Sequence, residues 1–599
     1  MTRIALICFI LCLASVAHAQ KKSGVTTSSL CTRDYAIDTT KQQALLTRTF
    51  DNPVQRIAVL IRAADLLWPY EQDKALAIFM EAFDLAVQNF KENGDQTRRT
   101  SQSKFAAVIQ LPDQRFKVLT ALAKRDPLKA RKLSEQMLQD DARDSDDKRA
   151  DKTAANEQST ARTAEKILLV ARALLATDLP AALNFARQSF PYAANLTLPA
   201  FLYELAKTNK QAADQLYLEA LTAYAATPMD QFLYLSSYPF GNTRDAGEMP
   251  SYMYYAVPQG YQPNRELQRQ FMRTLLDRAE AALAMPVEAR PAYRYPDHAQ
   301  MWLALSRLEK QIQENLPDLA ETASRVKEKL FAALNQGTQK QITGEIASDN
   351  EPKRSFDDEI EFAEKQKDPG RRDQLLAFAV TGSSKDEPID KILSVIDKIS
   401  EQGIRESLLN WFYYFRAQAL IERKDLTEAR ALANKVTELD QRAYLFTRIA
   451  EESLKQTEDQ IEARDVLNEI SAAVSKAPKT IVSARALLAL AYLYAKIDVN
   501  RGIEELGNAV KTINTLEVPD FSQSFVMMKI EGKNFGSFAS FSTPGFNPEN
   551  TFREVGKLDF DGSLAQATTF TDKSLRALTT LAVIEPCFSR KKGAKNTNE

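Results

Sequence analysis

The sequence predicts an all-α protein built from stacked helix hairpins, and three observations carry that expectation. Glycine is scarce, at 18 of 599 residues, while Ala, Leu, Lys, Glu and Gln fill long windows, a composition that favours helices over sheets. Apolar residues recur every three or four positions. Leu487, Leu488, Ala491, Tyr492 and Ala495 make one helical face, and Ile167, Leu168, Ala171, Leu174 and Leu175 another. The third observation is a recurring junction, in which a helical run ends, an Asp follows, and a small residue stands four positions later. Its instances are Asp73 with Ala77, Asp126 with Ala130, Asp178 with Ala182, Asp425 with Ala429, Asp459 with Ala463, and Asp498 with Gly502. An Asp at the N-cap accepts hydrogen bonds from the free amides of the next helix, and the small residue lets that helix pack closely on its antiparallel neighbour. Pro127 directly after Asp126 fits this placement, because the first helical position tolerates proline.

Residues 1–19 have the form of a secretory signal peptide: Arg3, an apolar stretch from Ile4 to Leu13, and the small-residue cleavage motif Ala17-His18-Ala19. The mature chain is expected to start near Gln20 and to be periplasmic or extracellular. Neither Cys8 nor Cys12 sits where a lipoprotein cysteine would, so no lipid anchor is expected. No later stretch has the length of uninterrupted apolar sequence that spans a bilayer; Ile481 to Ala495 is broken by Arg485. The formal charge of −1 for the full chain gives no field that would attract a polyanion, so nucleic acid is not an expected partner. After export only Cys31 and Cys587 remain. In an oxidising compartment they are expected to pair, which requires the chain ends to lie within about 7 Å between Cα atoms.

Along the chain, residues 20–138 are expected to hold N-terminal helical repeats, 139–162 a charged linker, 163–334 a central helical region, 335–358 a polar linker and 359–515 the most regular repeats. A Phe-rich cap and terminal helix occupy 516–590, and 591–599 form a disordered tail. Residues 91–104 are a further expected loop. The spacing of Asp425, Asp459 and Asp498, 34 and then 39 residues, is that of stacked helix pairs. Over about 407–514 this stretch resembles tetratricopeptide repeats, whose second helix opens with Asp and then Ala four residues on, as in Asp425-Leu-Thr-Glu-Ala429. The resemblance is partial: the small residue eight before the Asp is Ala417 once but then Glu451 and Leu490, and the aromatic four after the Ala is replaced by Ala433 and Leu467. It implies an α-solenoid, open or closed on itself, and a role in protein binding. The junctions at 73, 126 and 178 are spaced by 53 and 52, which points to longer repeats.

Two segments depart from helical composition. Residues 227–263 contain five prolines, three glycines and six tyrosines. A loop this long inside a compact domain is usually a lid or binding element. Tyr234, Tyr238, Tyr252, Tyr254, Tyr255 and Tyr261 are therefore the candidate binding residues, with burial against neighbouring helices as the bland alternative. In 518–561, Phe521, Phe525, Phe535, Phe538, Phe541, Phe546, Phe552 and Phe560 alternate with Gly, Ser and Pro, and an irregular cap over apolar helix faces is expected.

The mature chain keeps one histidine, His298, expected as an exposed neighbour of a helix cap. A histidine cluster for metal is thereby excluded, and no phosphate loop, dinucleotide fingerprint or calcium loop is present. No catalytic residue, metal or cofactor is expected. The expected function is an exported scaffold that binds a protein or peptide, with a carbohydrate-binding or carbohydrate-active α/α toroid as the alternative; membrane insertion is not expected.

Overall fold

A computed structural model of the protein describes residues 29–94, 97–99, 108–110, 113–146, 154–194, 196–241, 257–258, 260–287, 295–350, 354–383, 385–457, 460–521, 525–533 and 536–589. The signal peptide, Tyr252, Tyr254, Tyr255, Asp459, Phe535 and the tail 591–599 lie outside the described residues. The chain divides into two compact units, one formed by residues 1–111 together with 354–599, the other by 112–353.

The first unit opens with α1 (Arg33–Leu46), α2 (Pro53–Leu67) and α3 (Gln72–Asn93), then a short antiparallel ladder of β1 (Thr97–Arg99) and β2 (Val108–Gln110). The second unit holds α4 (Gln114–Ala123), α5 (Pro127–Asp146), α6 (Ala154–Leu174), α7 (Leu179–Gln188), α8 (Thr197–Thr208), α9 (Lys210–Ala223), the short α10 (Met229–Leu233) and α11 (Ser237–Phe240), then α12 (Arg265–Leu283), α13 (Asp297–Asn315), α14 (Pro317–Ala333) and α15 (Gln336–Asn350). The chain then returns to the first unit with α16 (Phe356–Glu364), α17 (Pro369–Gly382), α18 (Ile389–Asp397), α19 (Gln402–Glu422), α20 (Leu426–Ala433), α21 (Leu439–Thr457), α22 (Gln460–Lys476), α23 (Ile481–Ile497) and α24 (Val499–Ile513). The hairpin of β3 (Phe525–Glu531) and β4 (Gly536–Ser542) follows, before α25 (Pro548–Leu558), α26 (Phe560–Thr568), α27 (Lys573–Ile584) and a closing 3₁₀ turn, Glu585–Ser589.

The junction signature works as a loopless turn. At Asp126, Asp178 and Asp498 the backbone N–H bonds the carbonyl four residues back (2.7, 2.8 and 2.6 Å), ending one helix. The side chain of the same residue then accepts from the amides that open the next. One residue thus caps two helices, which satisfies orphan groups on both sides. The small residue four further on, Ala130 or Ala182, is fully buried against the preceding helix. At Gly502 the approach is tightest, since a Cβ there would lie 2.6 Å from the Cα of Ala495. Asp425 varies the theme, because Lys424 takes a left-handed conformation (φ 66°) before the cap.

Two further junctions obey the rule: Asn209 with Ala213, and Asp559 with Ser563. Asp73 does not. It lies inside the first turn of α3 with Ala77 exposed, while Glu71 holds the turn and Ala75 is buried. An acidic residue is favoured anywhere in a first turn by the helix dipole, so the pattern alone misplaced this junction by two residues.

In the first unit α17, α19, α21, α23, α25, α27 and then α2 pack each on the next, with α20, α22, α24, α26 and α3 as their hairpin partners. The N-terminal hairpin therefore continues the stack after the last helix. Cys31 and Cys587, both buried, are joined there with Cα atoms 5.1 Å apart. Arg62 pairs with Glu585 (2.5 Å), Tyr70 stacks on Phe588 and donates its hydroxyl to the Phe588 carbonyl (3.0 Å), and Lys573 reaches the Thr49 carbonyl (2.7 Å). Ion pairs between successive hairpins keep the register: Lys398 with Glu364, 34 residues apart, and Arg430 with Glu469, 39 apart. Each adds little energy at the surface.

In the second unit α4–α5, α6–α7 and α8–α9 form successive hairpins, and α12 packs against the hairpin of α13 and α14. Arg172 pairs with Glu204 and Arg187 with Glu219, both 32 residues apart.

Several expectations from composition are corrected. The polar stretch 335–358 is mostly α15, started by Asn335, whose side chain accepts from the Thr338 amide (2.9 Å). Helices α5 and α6 run into 139–162 from both sides, leaving 147–153 outside the described residues. α3 extends through Asn93, and Gly94 ends it at φ 62°. The Phe-rich segment is no irregular cap: Val526, Met528 and Ile530 alternate inward on β3, and α25–α26 is one more hairpin of the stack.

Candidate functional site

A cavity of about 460 Å³ lies on the first-helix layer of the first unit and falls in the usual range of ligand clefts. Helix periodicity builds its walls. Tyr444, Thr447, Arg448 and Glu451 lie at i, i+3, i+4 and i+7 on α21, and Ala489, Tyr492 and Leu493 at i, i+3 and i+4 on α23. α25 adds Asn550, Thr551 and Glu554. The chain between β4 and α25 adds Thr543, Gly545 and Phe546.

This last wall is held firmly. Phe546 is buried and its amide donates to the Thr543 carbonyl (2.9 Å), Asn547 caps α25 by accepting from the Asn550 amide (3.2 Å), and the Thr551 hydroxyl reaches the Gly545 (3.3 Å) and Leu488 (3.4 Å) carbonyls. The cleft mixes aromatic, cationic and acidic groups. Arg448 lies 3.8 Å from Glu451, Glu554 bonds Lys557 (2.6 Å), and the Lys496 ammonium stands 4.1 Å over the Tyr492 ring. The Thr543 hydroxyl is buried with no hydrogen-bond partner, an arrangement that costs about 1–3 kcal/mol unless something in the cleft meets it.

β3 lies across α19 and α21. Ile530 packs with Ile404, Leu408 and Phe412, the Gln441 amide donates to the Met527 carbonyl (2.9 Å), and the Glu531 amide donates to the Ser407 hydroxyl (3.1 Å). Part of the first-helix layer, the surface that stacked hairpins usually offer to partners, is therefore already covered by the chain itself.

The tyrosines singled out in the sequence fall elsewhere. Tyr238 is fully buried in the second unit, donates to Asp214 (2.8 Å), and packs with Tyr203, Tyr217 and Tyr261. Burial, with Tyr261 and Asp214 beside it, pushes its phenol far above the ordinary value. Tyr261 donates to the Tyr238 carbonyl (2.7 Å), and Asn264 and Lys210 complete the bonds to Asp214. Tyr238 and Tyr261 thus pin the start of α12 to α9 and α8, and Tyr238 has no surface to offer a ligand. Tyr234 is half-buried on the short turn after α10.

His298 is buried on the first turn of α13, not exposed as expected for a neighbour of a helix cap, and Met301 and Leu305, at i+3 and i+7 on the same helix face, are buried with it. On α19 the aromatic residues Trp411 to Phe415 divide: Phe412 and Tyr414 are core, while Trp411 and Tyr413 pack at its edge. The second unit's described indentation, near 50 Å³ and crossed by the Lys327–Glu309 pair, is too small for a ligand.

Of the cleft residues the sequence brought out only Tyr492, as part of an apolar helix face, and Phe546, as part of the Phe-rich segment, and neither as a binding residue. A repeat-by-repeat reading of first-helix positions would have found them as polar and aromatic side chains on a face otherwise filled with Ala and Leu. Comparison with protein families and with curated proteins gives no match.

Proposed function

We propose that the chain is an exported, tetratricopeptide-like helical scaffold that recognises a peptide or protein partner in the cleft formed by α21, α23 and α25. The observation that carries this is the cleft itself, set on the first-helix layer where stacked hairpins form binding surfaces, with Tyr444, Tyr492 and Arg448 in its wall. Tyr and Arg are the residues that most often anchor such contacts. Export is supported by the Cys31–Cys587 pairing, which suits an oxidising compartment. Among the described residues no helix is long and apolar enough to cross a membrane.

The glycan alternative draws on Glu451 and Glu554, two acids in one cleft with tyrosines. Each sits beside a cation, whereas a glycosidase acid is usually set in a hydrophobic pocket, so recognition is the better reading.

The test is selection of a random twelve-residue peptide library on the full disulfide-bonded chain, in parallel with Tyr492→Ala and Arg448→Ala. A consensus enriched on the wild type and lost on both variants supports the proposal. Equal enrichment on all three, or none on any, overturns it.

A further inference from the structure

Strand β4 ends at the cleft. Ser542 is followed directly by Thr543, Gly545 and Phe546, which form one wall. In an antiparallel pair alternate residues turn both backbone groups away from the partner strand. The Met527 carbonyl and the Glu531 amide point out of the ladder, towards Gln441 and Ser407, so 527, 529 and 531 are the outward residues of β3. Their partners across the ladder, Ser540, Phe538 and Gly536, must then turn their N–H and C=O groups outward on the far side of β4.

The two edges are treated differently. Helices α19 and α21 occupy the outer edge of β3. Among the described residues β4 pairs with no strand besides β3. Nor does β4 carry the usual protection of an open edge: Gly-Ser-Phe-Ala-Ser-Phe-Ser has no charge and no proline, the features that normally block another strand from adding.

We propose that β4 accepts an extended segment of a partner protein as a third strand, and that this segment runs into the cleft and seats a large side chain against Tyr492, Leu493 and Phe546. Backbone bonds to β4 hold the segment whatever its sequence, and the cleft supplies selectivity, as in other cases of strand addition. The buried Thr543 hydroxyl, without a partner and standing where the edge passes into the cleft, is placed to meet the segment at that point. This rests on the cleft reading above and specifies the form of its ligand.

The test repeats the twelve-residue library selection on the wild type and on Ser540→Pro. Proline at 540 removes one outward N–H and no bond of the β3–β4 ladder, because Ser540 faces Met527 in a non-bonded pair. Enrichment on the wild type at least about tenfold above the variant is expected. A second measurement does not depend on the variant folding. Backbone N-methylation of the best wild-type binder should weaken it about tenfold at alternate positions, and little at those between.

Peptides that bind the wild type and Ser540→Pro alike, show no alternation on N-methylation, and are lost on Tyr492→Ala would overturn strand addition while leaving the cleft as a peptide site. Absence of any selected peptide would overturn both. A chain that ignores peptides but self-associates, and stops doing so with Ser540→Pro, would assign the edge to a second copy and overturn the proposal.

Discussion

Substituting Gly502 with Ala sets two effects of known size against each other. In an exposed helix, Gly to Ala stabilises by about 1 kcal/mol, because Ala has the higher helix propensity. At Gly502 the added Cβ would fall 2.6 Å from both the Cα and the Cβ of Ala495 and 2.7 Å from its backbone nitrogen. These are backbone atoms of the partner helix and cannot rotate aside, so α23 and α24 must part near their shared turn. Overpacking of this kind costs about 1–3 kcal/mol. The packing term should win, leaving Gly502→Ala less stable by about 1–2 kcal/mol in urea unfolding followed by far-ultraviolet circular dichroism. Ala429→Gly at the equivalent, fully buried position of the Asp425 junction should also destabilise, by about 1 kcal/mol, since there propensity and packing act together. A Gly502→Ala protein more stable than wild type by about 1 kcal/mol would refute the reasoning, because it would mean the helices do not meet as closely at this junction as described.

Other consequences follow from the same stack. Asp559→Ala removes the cap that accepts from the Gly562 amide (2.9 Å) and should cost about 0.5–2 kcal/mol in the same assay, a cost absent if 516–590 were an irregular cap. Burial alone would raise the Asp373 carboxyl, but the Ser400 hydroxyl, the Glu401 amide and Arg372 outweigh it and hold the group below the usual carboxylate range. Its contribution is therefore complete above the unfolded value of about 3.9 and lost as the pH falls through the lower folded value. The stability gap between wild type and Asp373→Asn should shrink below about pH 4; a gap constant from pH 7 to pH 2 would contradict this. Non-reducing peptide mapping should link the Cys31 and Cys587 peptides within one chain, and the proposed export predicts that this chain begins near Gln20. Cys31→Ser should lower thermal stability, by up to roughly 5 kcal/mol on the chain-entropy view. A reduced pair in the purified protein would remove the staple at this seam.

What the sequence revealed and what it hid follow from the range of the forces involved. Helix hairpins were legible because their causes are local: a cap at Asp126, Asp178 or Asp498, and a small residue one turn later, act within five residues. The pairing of Cys31 with Cys587 was legible for a different reason, since the expected removal of residues 1–19 would leave no third cysteine to compete. Composition misled at α15, where polar residues form an exposed helix as readily as a loop. It misled again at α25, whose start signal Asn547-Pro548 and junction Asp559…Ser563 were masked by the surrounding Phe, Gly and Ser. The tyrosines of 227–263 drew attention as a binding loop, yet Tyr238 and Tyr261 serve to fasten α12. The cleft depends on three helices apart in the chain, α21, α23 and α25, and on the segment that leads from β4 into the last of them. No local pattern encodes that conjunction.

The central claim, that a peptide is bound along β4 and in the cleft between α21, α23 and α25, is tested most directly by amide hydrogen exchange on the full chain with and without a saturating library-selected peptide. The account predicts slowed exchange concentrated in residues 536–546, most strongly at the outward amides of Phe538 and Ser540, with the second unit unchanged. Slowing confined to another part of the chain, or none despite measured binding, would contradict it.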